Sequence, residues 1–118
     1  MKKTNTVEEY GRLAVEILSD NLGDNVLLLD VRDHNDYSDF LVITSGKTDK
    51  HLESLSQKVT KNLRNAGLRI HHKEGSGSGG WILLDFLGLM THIFTAESRK
   101  KYDIENVIDG GREIVRLQ

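Results

Sequence analysis

Apolar residues recur along this 118-residue chain in two rhythms, and the switches between them mark its elements. Val7, Tyr10, Leu13, Ala14, Ile17 and Leu18 follow at spacings of three and four, which predicts one stripe of a helix. Thr6-Val7-Glu8-Glu9 reads as its capping box, Thr6 at the N-cap and Glu9 reaching back, and Gly23 as its stop. The continuous run Val26 to Val31 predicts a buried strand, and Asp39 to Ser45 a second one. The polar segment from Asp33 to Ser38 is then a turn between neighbouring strands. Gly46 ends the second strand, and Thr48 or Asp49 caps a long helix with the stripe Leu52, Leu55, Val59 and Leu63 and Gly67 as its stop. Leu68 to His72 reads as a weak strand centred on Ile70. Trp81 to Phe86 and Leu89 to Thr95 are strong strands joined tightly through Phe86-Leu87-Gly88. Ala96-Glu97-Ser98-Arg99 starts a short helix carrying Tyr102 and Ile104, and Glu113 to Leu117 permits a last strand.

This order mixes local hairpins with a crossover helix, so it predicts a single-domain α/β sandwich with a mixed sheet flanked by helices. Its core is expected where the two helical stripes meet Leu27, Leu29, Leu41, Ile43, Ile82, Leu84 and Ile93.

Composition narrows the chemistry. Sixteen Lys and Arg against eighteen Asp and Glu give a net charge of -2, which argues against nucleic acid as the main partner. With no cysteine there is no disulfide, thiolate metal site or cysteine nucleophile. The N-terminal MKKTNTVEEYG lacks the apolar run of a signal peptide, and no stretch has the roughly 20 apolar residues of a membrane span, so a soluble cytoplasmic protein is expected.

Each candidate site has a plainer reading beside it. In Lys73-Glu74-Gly75-Ser76-Gly77-Ser78-Gly79-Gly80-Trp81 a phosphate loop would need a helix after the glycines and a Lys-Ser/Thr pair. A strand follows instead, and the run reads as a flexible connector of adjustable length. His71-His72 would point to opposite faces of a strand, so a shared metal ion is disfavoured. Asp85 and His92 form a conceivable dyad across neighbouring strands, but no nucleophile or ligand cluster accompanies them. Trp81 is either a core residue or a partner-binding anchor. The apolar pair Phe86-Leu87, on what should be a polar turn, tilts the choice towards an exposed docking patch.

Several blocks together resemble the ribosomal silencing factor family, RsfS or Iojap. They are Ser38-Asp39-Phe40-Leu41-Val42-Ile43-Thr44-Ser45-Gly46, Thr48-Asp49-Lys50-His51, Ala66-Gly67-Leu68, Glu74-Gly75, Trp81-Ile82-Leu83-Leu84-Asp85, His92-Ile93-Phe94 and Glu97 to Asp103. The resemblance runs from about Val7 to Val107. It implies an α/β domain over residues 1–108 with nucleotidyltransferase-like topology but without the catalytic carboxylates, and a tail over 109–118. It also implies a non-enzymatic, cofactor-free factor that binds the large ribosomal subunit through ribosomal protein L-fourteen and blocks joining of the small subunit, repressing translation. Organellar relatives act in ribosome assembly, and family members are often homodimers when free. By the same resemblance Trp81, Asp85, Phe86, Leu87, Arg99, Lys100 and Tyr102 are the partner-binding residues. Two departures stand out. Leu87-Gly88 follows Asp85-Phe86 where the family carries a second acidic residue, and Ile104 to Ile108 replaces the family's tryptophan-containing ending.

Overall fold

A computed structural model describes residues 5–33, 38–107 and 111–118. In chain order the elements are α1 (Val7–Asp20), β1 (Asp24–Asp30), β2 (Phe40–Gly46), α2 (Asp49–Asn65), β3 (His72–Ser76), β4 (Trp81–Asp85), β5 (Leu89–Thr95), α3 (Ala96–Tyr102), α4 (Ile104–Val107) and β6 (Arg112–Leu117). The six strands form one sheet in the order β3-β4-β5-β2-β1-β6. β2 and β5 pair in parallel at its centre, with Phe40 opposite Leu89 and Gly46 opposite Thr95. The β1–β2, β1–β6, β3–β4 and β4–β5 pairs are antiparallel. The turn expected between the first two strands falls partly on residues 34–37, outside the described residues.

Local signals act where the pattern placed them. The Thr6 hydroxyl accepts from Glu9 N–H at 3.1 Å and Glu9 accepts from Thr6 N–H at 3.1 Å, completing the capping box. Thr48 caps α2 by accepting from His51 N–H at 3.0 Å. At the end of α1 the left-handed residue is Leu22, at φ 69°, and Gly23 N–H closes onto Leu18 O at 2.7 Å.

The expected core divides in two. α1 and α2 cover one sheet face, where Ala14, Leu18, Leu52, Leu55, Val59 and Leu63 pack on Val26, Leu28, Phe40, Val42, Ile82, Leu84 and Ile93. Leu27, Leu29, Leu41 and Ile43 belong instead to a second cluster with Val31 and Phe94, on the opposite face beside Trp81, Met90 and Ile104. Both faces of β1 and β2 are buried, so their apolar runs carry no alternation to reveal which residue faces which layer.

Three further expectations change. The weak strand at 68–72 begins only at His72, and it runs on through Lys73-Glu74-Gly75-Ser76. Only Gly77 to Gly80 forms the turn, and it is tied down rather than adjustable. Gly77 N–H donates to Glu53 Oε2 at 2.7 Å, Gly80 N–H to Gly77 O at 3.0 Å, and Thr95 N–H to Gly80 O at 3.0 Å. A Cβ on Gly77 would lie 2.1 Å from Asp49 O, so the turn fits against α2 only without a side chain. Phe86, expected on the surface, is 3% exposed and belongs to the helix-side core. Within the stretch 109–118, β6 supplies the last strand that the sequence permits at Glu113 to Leu117, and its Ile114 and Val115 pack on the core. Residues 109 and 110 of that stretch lie outside the described residues. Among the described residues no helix is long and apolar enough to cross a membrane.

Candidate protein-docking face

Alternation along β4 sends Ile82 and Leu84 into the helix-side core and leaves Trp81, Leu83 and Asp85 on the opposite face. Cross-strand pairing sets Trp81 against Phe94, Leu83 against His92 and Asp85 against Met90. On the other flank, edge strand β3 pairs Ser76 with Trp81, Glu74 with Leu83 and His72 with Asp85. The sheet face opposite α1 and α2 therefore carries, along this strip, one large aromatic, two long apolar side chains and a carboxylate at its rim.

Trp81 sits in a ring cluster. Its centroid is 4.9 Å from Phe94, 4.7 Å from Tyr102 and 5.8 Å from His92. Phe94 is fully buried beneath it, whereas Tyr102, projected from the end of α3, is 44% exposed. Trp81 Nε1–H donates to His92 Nδ1 at 3.0 Å, which fixes the indole and requires an unprotonated Nδ1. Burial pushes His92 down to about 4, so the ring stays neutral at ordinary pH and keeps that acceptor. Lys101 Nζ lies 5.5 Å from the Tyr102 ring centroid. Glu74, Gly75, Trp81 and Leu83 line a concavity beside the indole. Trp81, Leu83 and Met90 are each partly exposed, so an apolar strip remains open between buried neighbours.

The partner-binding residues expected from sequence thus separate. Trp81 and Tyr102 stand together at one end of β4, and Lys100 is exposed on α3, two residues before Tyr102 and so on another side of that helix. Asp85 and Leu87 stand at the other end of β4, roughly 13 Å away by strand rise, with Leu83 and Met90 between them. Leu87 is 60% exposed at φ 72°, in the left-handed region, and its N–H donates to Asp85 Oδ1 at 2.7 Å. An exposed, non-glycine residue held there costs conformational energy, which Asp85 offsets. Phe86 turns inward, since its N–H closes the hairpin on Leu89 O at 2.9 Å and its ring fills the core. The exposed pair read from sequence is therefore Leu87 alone.

Arg99 also departs from expectation. Its guanidinium donates to Glu105 at 2.6 Å, Ser45 Oγ at 3.1 Å and Asp24 O at 3.3 Å, with its side chain 11% exposed. It clamps α3 and α4 onto the ends of β1 and β2 rather than facing a partner. Leu83 and Met90 were missed on sequence. Period-two alternation from Trp81 points to Leu83, but Met90 emerges only from the β4–β5 register.

Asp85 pairs with Met90 rather than His92, and its carboxylate accepts from Leu87. The His92 Nδ1 acceptor is taken by Trp81. Among the described residues no group of three or more His, Cys, Asp and Glu could hold a metal ion. His71 and His72 share no ligand set, as His71 N–H donates to Asp85 O and His72 pairs with Glu74.

Comparison with known proteins gives a consistent result. Residues 4–114 match the family model described as "Ribosomal silencing factor during starvation". A ribosomal silencing factor RsfS of Chromobacterium violaceum is 29% identical over 104 residues, spanning 88% of this chain and 85% of that one. The mouse protein named "Mitochondrial assembly of ribosomal large subunit protein 1" is 24% identical over 98 residues, 80% of this chain but 43% of the mouse protein. A crystal structure of a Chromobacterium violaceum protein superposes with a TM-score of 0.85 at 27% identity, covering 97% of this chain and 94% of that one.

Proposed function

Because the chain belongs to the ribosomal silencing factor family, we propose that it binds the large ribosomal subunit through ribosomal protein L-fourteen and sterically blocks joining of the small subunit, repressing translation. The observation that carries this reading is the partly exposed strip of Trp81, Leu83 and Met90, capped at one end by Tyr102, on the sheet face opposite α1 and α2. Trp and Tyr on such a strip are the residue types that dominate protein interfaces, because they bury large areas with few rotatable bonds. Phe94 and His92 hold the indole from below, so little freedom is lost when a partner closes over it. Lys100 and Leu87 extend the contact at either end, and Asp85 acts by holding the Leu87 turn. The action is steric and needs neither cofactor nor catalysis. It takes place in the cytoplasm, and the same face can pair two copies when the protein is free.

The test is a subunit-joining assay with purified subunits. Stoichiometric protein is expected to suppress joining, and Trp81→Ala to weaken large-subunit binding by about 2 kcal/mol, roughly 30-fold. Tyr102→Ala, at an exposed site that leaves the core intact, should weaken it in the same direction. Undiminished joining in the presence of the parent protein would overturn the mechanism. A second reading, an assembly factor on the same surface, is favoured by the mouse relative's name. It predicts normal joining in that assay but a shortfall of large subunits in cells lacking the protein.

A further inference from the structure

Charge is unevenly distributed along this acidic chain. Residues 54–73 contain Lys58, Lys61, Arg64, Arg69 and Lys73 and no Asp or Glu, leaving eleven cations against eighteen acids in the remainder, a balance of -7. The fold gathers part of this segment into a groove between α2 and the approach to β3, lined by Gln57, Thr60, Lys61, Arg64, Ile70 and Lys73. No carboxylate lines it. Lys73 shares Glu53 at 3.2 Å, but among the described residues neither Lys61 nor Arg64 has an ion-pair partner. Gln57, Lys61 and Arg64 are separated by four and three residues, so they form one row along roughly 10 Å of helix.

We infer that this α2–β3 groove binds the phosphate backbone of ribosomal RNA, as a second contact beside the protein-docking face. The inference rests on the family reading, which supplies a ribonucleoprotein as partner. Cations flanked by hydroxyl and amide donors suit phosphate oxygens, and nothing in the groove offers the acceptor–donor pattern that reads base edges, so the contact is independent of sequence. The acidic remainder keeps general affinity for nucleic acid low and turns this one side towards a polyanion. Edge strand β3 divides the two contacts. Glu74 faces the Trp81 side, while Lys73 faces α2, so a protein can meet one face of the edge and RNA the other.

Two arms test this with the full chain: binding to purified large subunits, and binding to a mixed-sequence RNA duplex, each from 50 to 200 mM salt. Three to five phosphate contacts predict roughly 50- to 500-fold weaker binding across that range. Lys61→Gln/Arg64→Gln should lower the slope of log affinity against log salt by about 1.5–2 in both arms. Trp81→Ala should weaken subunit binding with the slope unchanged. Arg112→Gln/Arg116→Gln, on the far edge, controls for overall charge and should keep the parent slope. The parent slope in the Lys61/Arg64 variant in both arms overturns the groove, as does parent protein that binds neither target. Displacement from subunits by polyglutamate but not by the duplex also overturns it, because the groove then takes an acidic protein. Duplex binding lost in the Lys61/Arg64 variant, with no parent binding to subunits, sinks the family-level function and leaves phosphate recognition standing.

Discussion

At the proposed docking face, Trp81 is held by its hydrogen bond to His92 Nδ1. The imidazole must be neutral to accept the indole N–H, and burial lowers its pKa from 6.5 to about 4. A base whose folded pKa lies below its unfolded value is stabilising in its neutral form above 6.5, and that stability is lost as pH falls from 6.5 towards 4. Between pH 7 and 5 the loss should be about 2 kcal/mol. Chemical denaturation at both pH values checks this, and His92→Gln, which keeps an acceptor but cannot titrate, should flatten the dependence. Asp30 acts in a separate window: the Arg32 guanidinium beside it holds its carboxyl well below the usual range of 3.8, so its contribution falls away only in stronger acid. In sequence, Trp81 stood out as a candidate anchor at the mouth of the glycine-rich loop and the start of a strong strand. Its dependence on His92 was not, since the two lie eleven residues apart and meet only through register. Phe86 and Leu87 show the same limit: adjacent apolar residues at a turn look alike until the hairpin bond sends one inward and the other out.

Among the elements, the glycine-rich hairpin between β3 and β4 departs most from its sequence. Gly and Ser signal conformational freedom, and freedom was the natural reading. The structure uses the glycines for close approach instead, with the turn pressed on the first turns of α2 and held by Glu53. The Gly77 N–H and Lys73 keep the Glu53 carboxyl below its ordinary pKa, so this tie persists through the neutral range. Gly77→Ala is expected to destabilise by about 2 kcal/mol or more, a fall in Tm of roughly 8 °C, measurable by calorimetry. An alanine at Gly79, whose Cβ would meet nothing nearer than 3.4 Å, should cost far less. The order of the other elements was largely legible, because the helical stripes at 7–18 and 52–63 and the runs at 81–86 and 89–95 carry strong periodicity or length. β3 was not, because an edge strand of His, Lys, Glu, Gly and Ser has no apolar face to announce it.

For the molecule as a whole, β6 covers the β1 edge that the first five strands leave unpaired. Its partner β1 buries Val26, Leu27, Leu28 and Leu29, so removing residues 111–118 would expose a long apolar edge. The truncated chain is expected to self-associate, with larger species on size exclusion with light scattering at concentrations where the full chain stays homogeneous. The strand was permitted by the sequence, but its partner was not legible, because Arg112 to Leu117 pairs with a strand more than eighty residues earlier. The central parallel pair carries a consequence in time. β2 and β5 meet only across the intervening α2, β3 and β4, so the middle of the sheet is assembled from strands separated by about fifty residues. Such non-local pairing makes for slow folding. A nascent chain cannot form the central parallel pair until Thr95 has left the exit tunnel, and until then β1 and β2 can pair only with each other, with both outer edges bare. Joining the termini and reopening the chain within 47–48, which removes that covalent crossover, should therefore change the refolding rate more than the final stability.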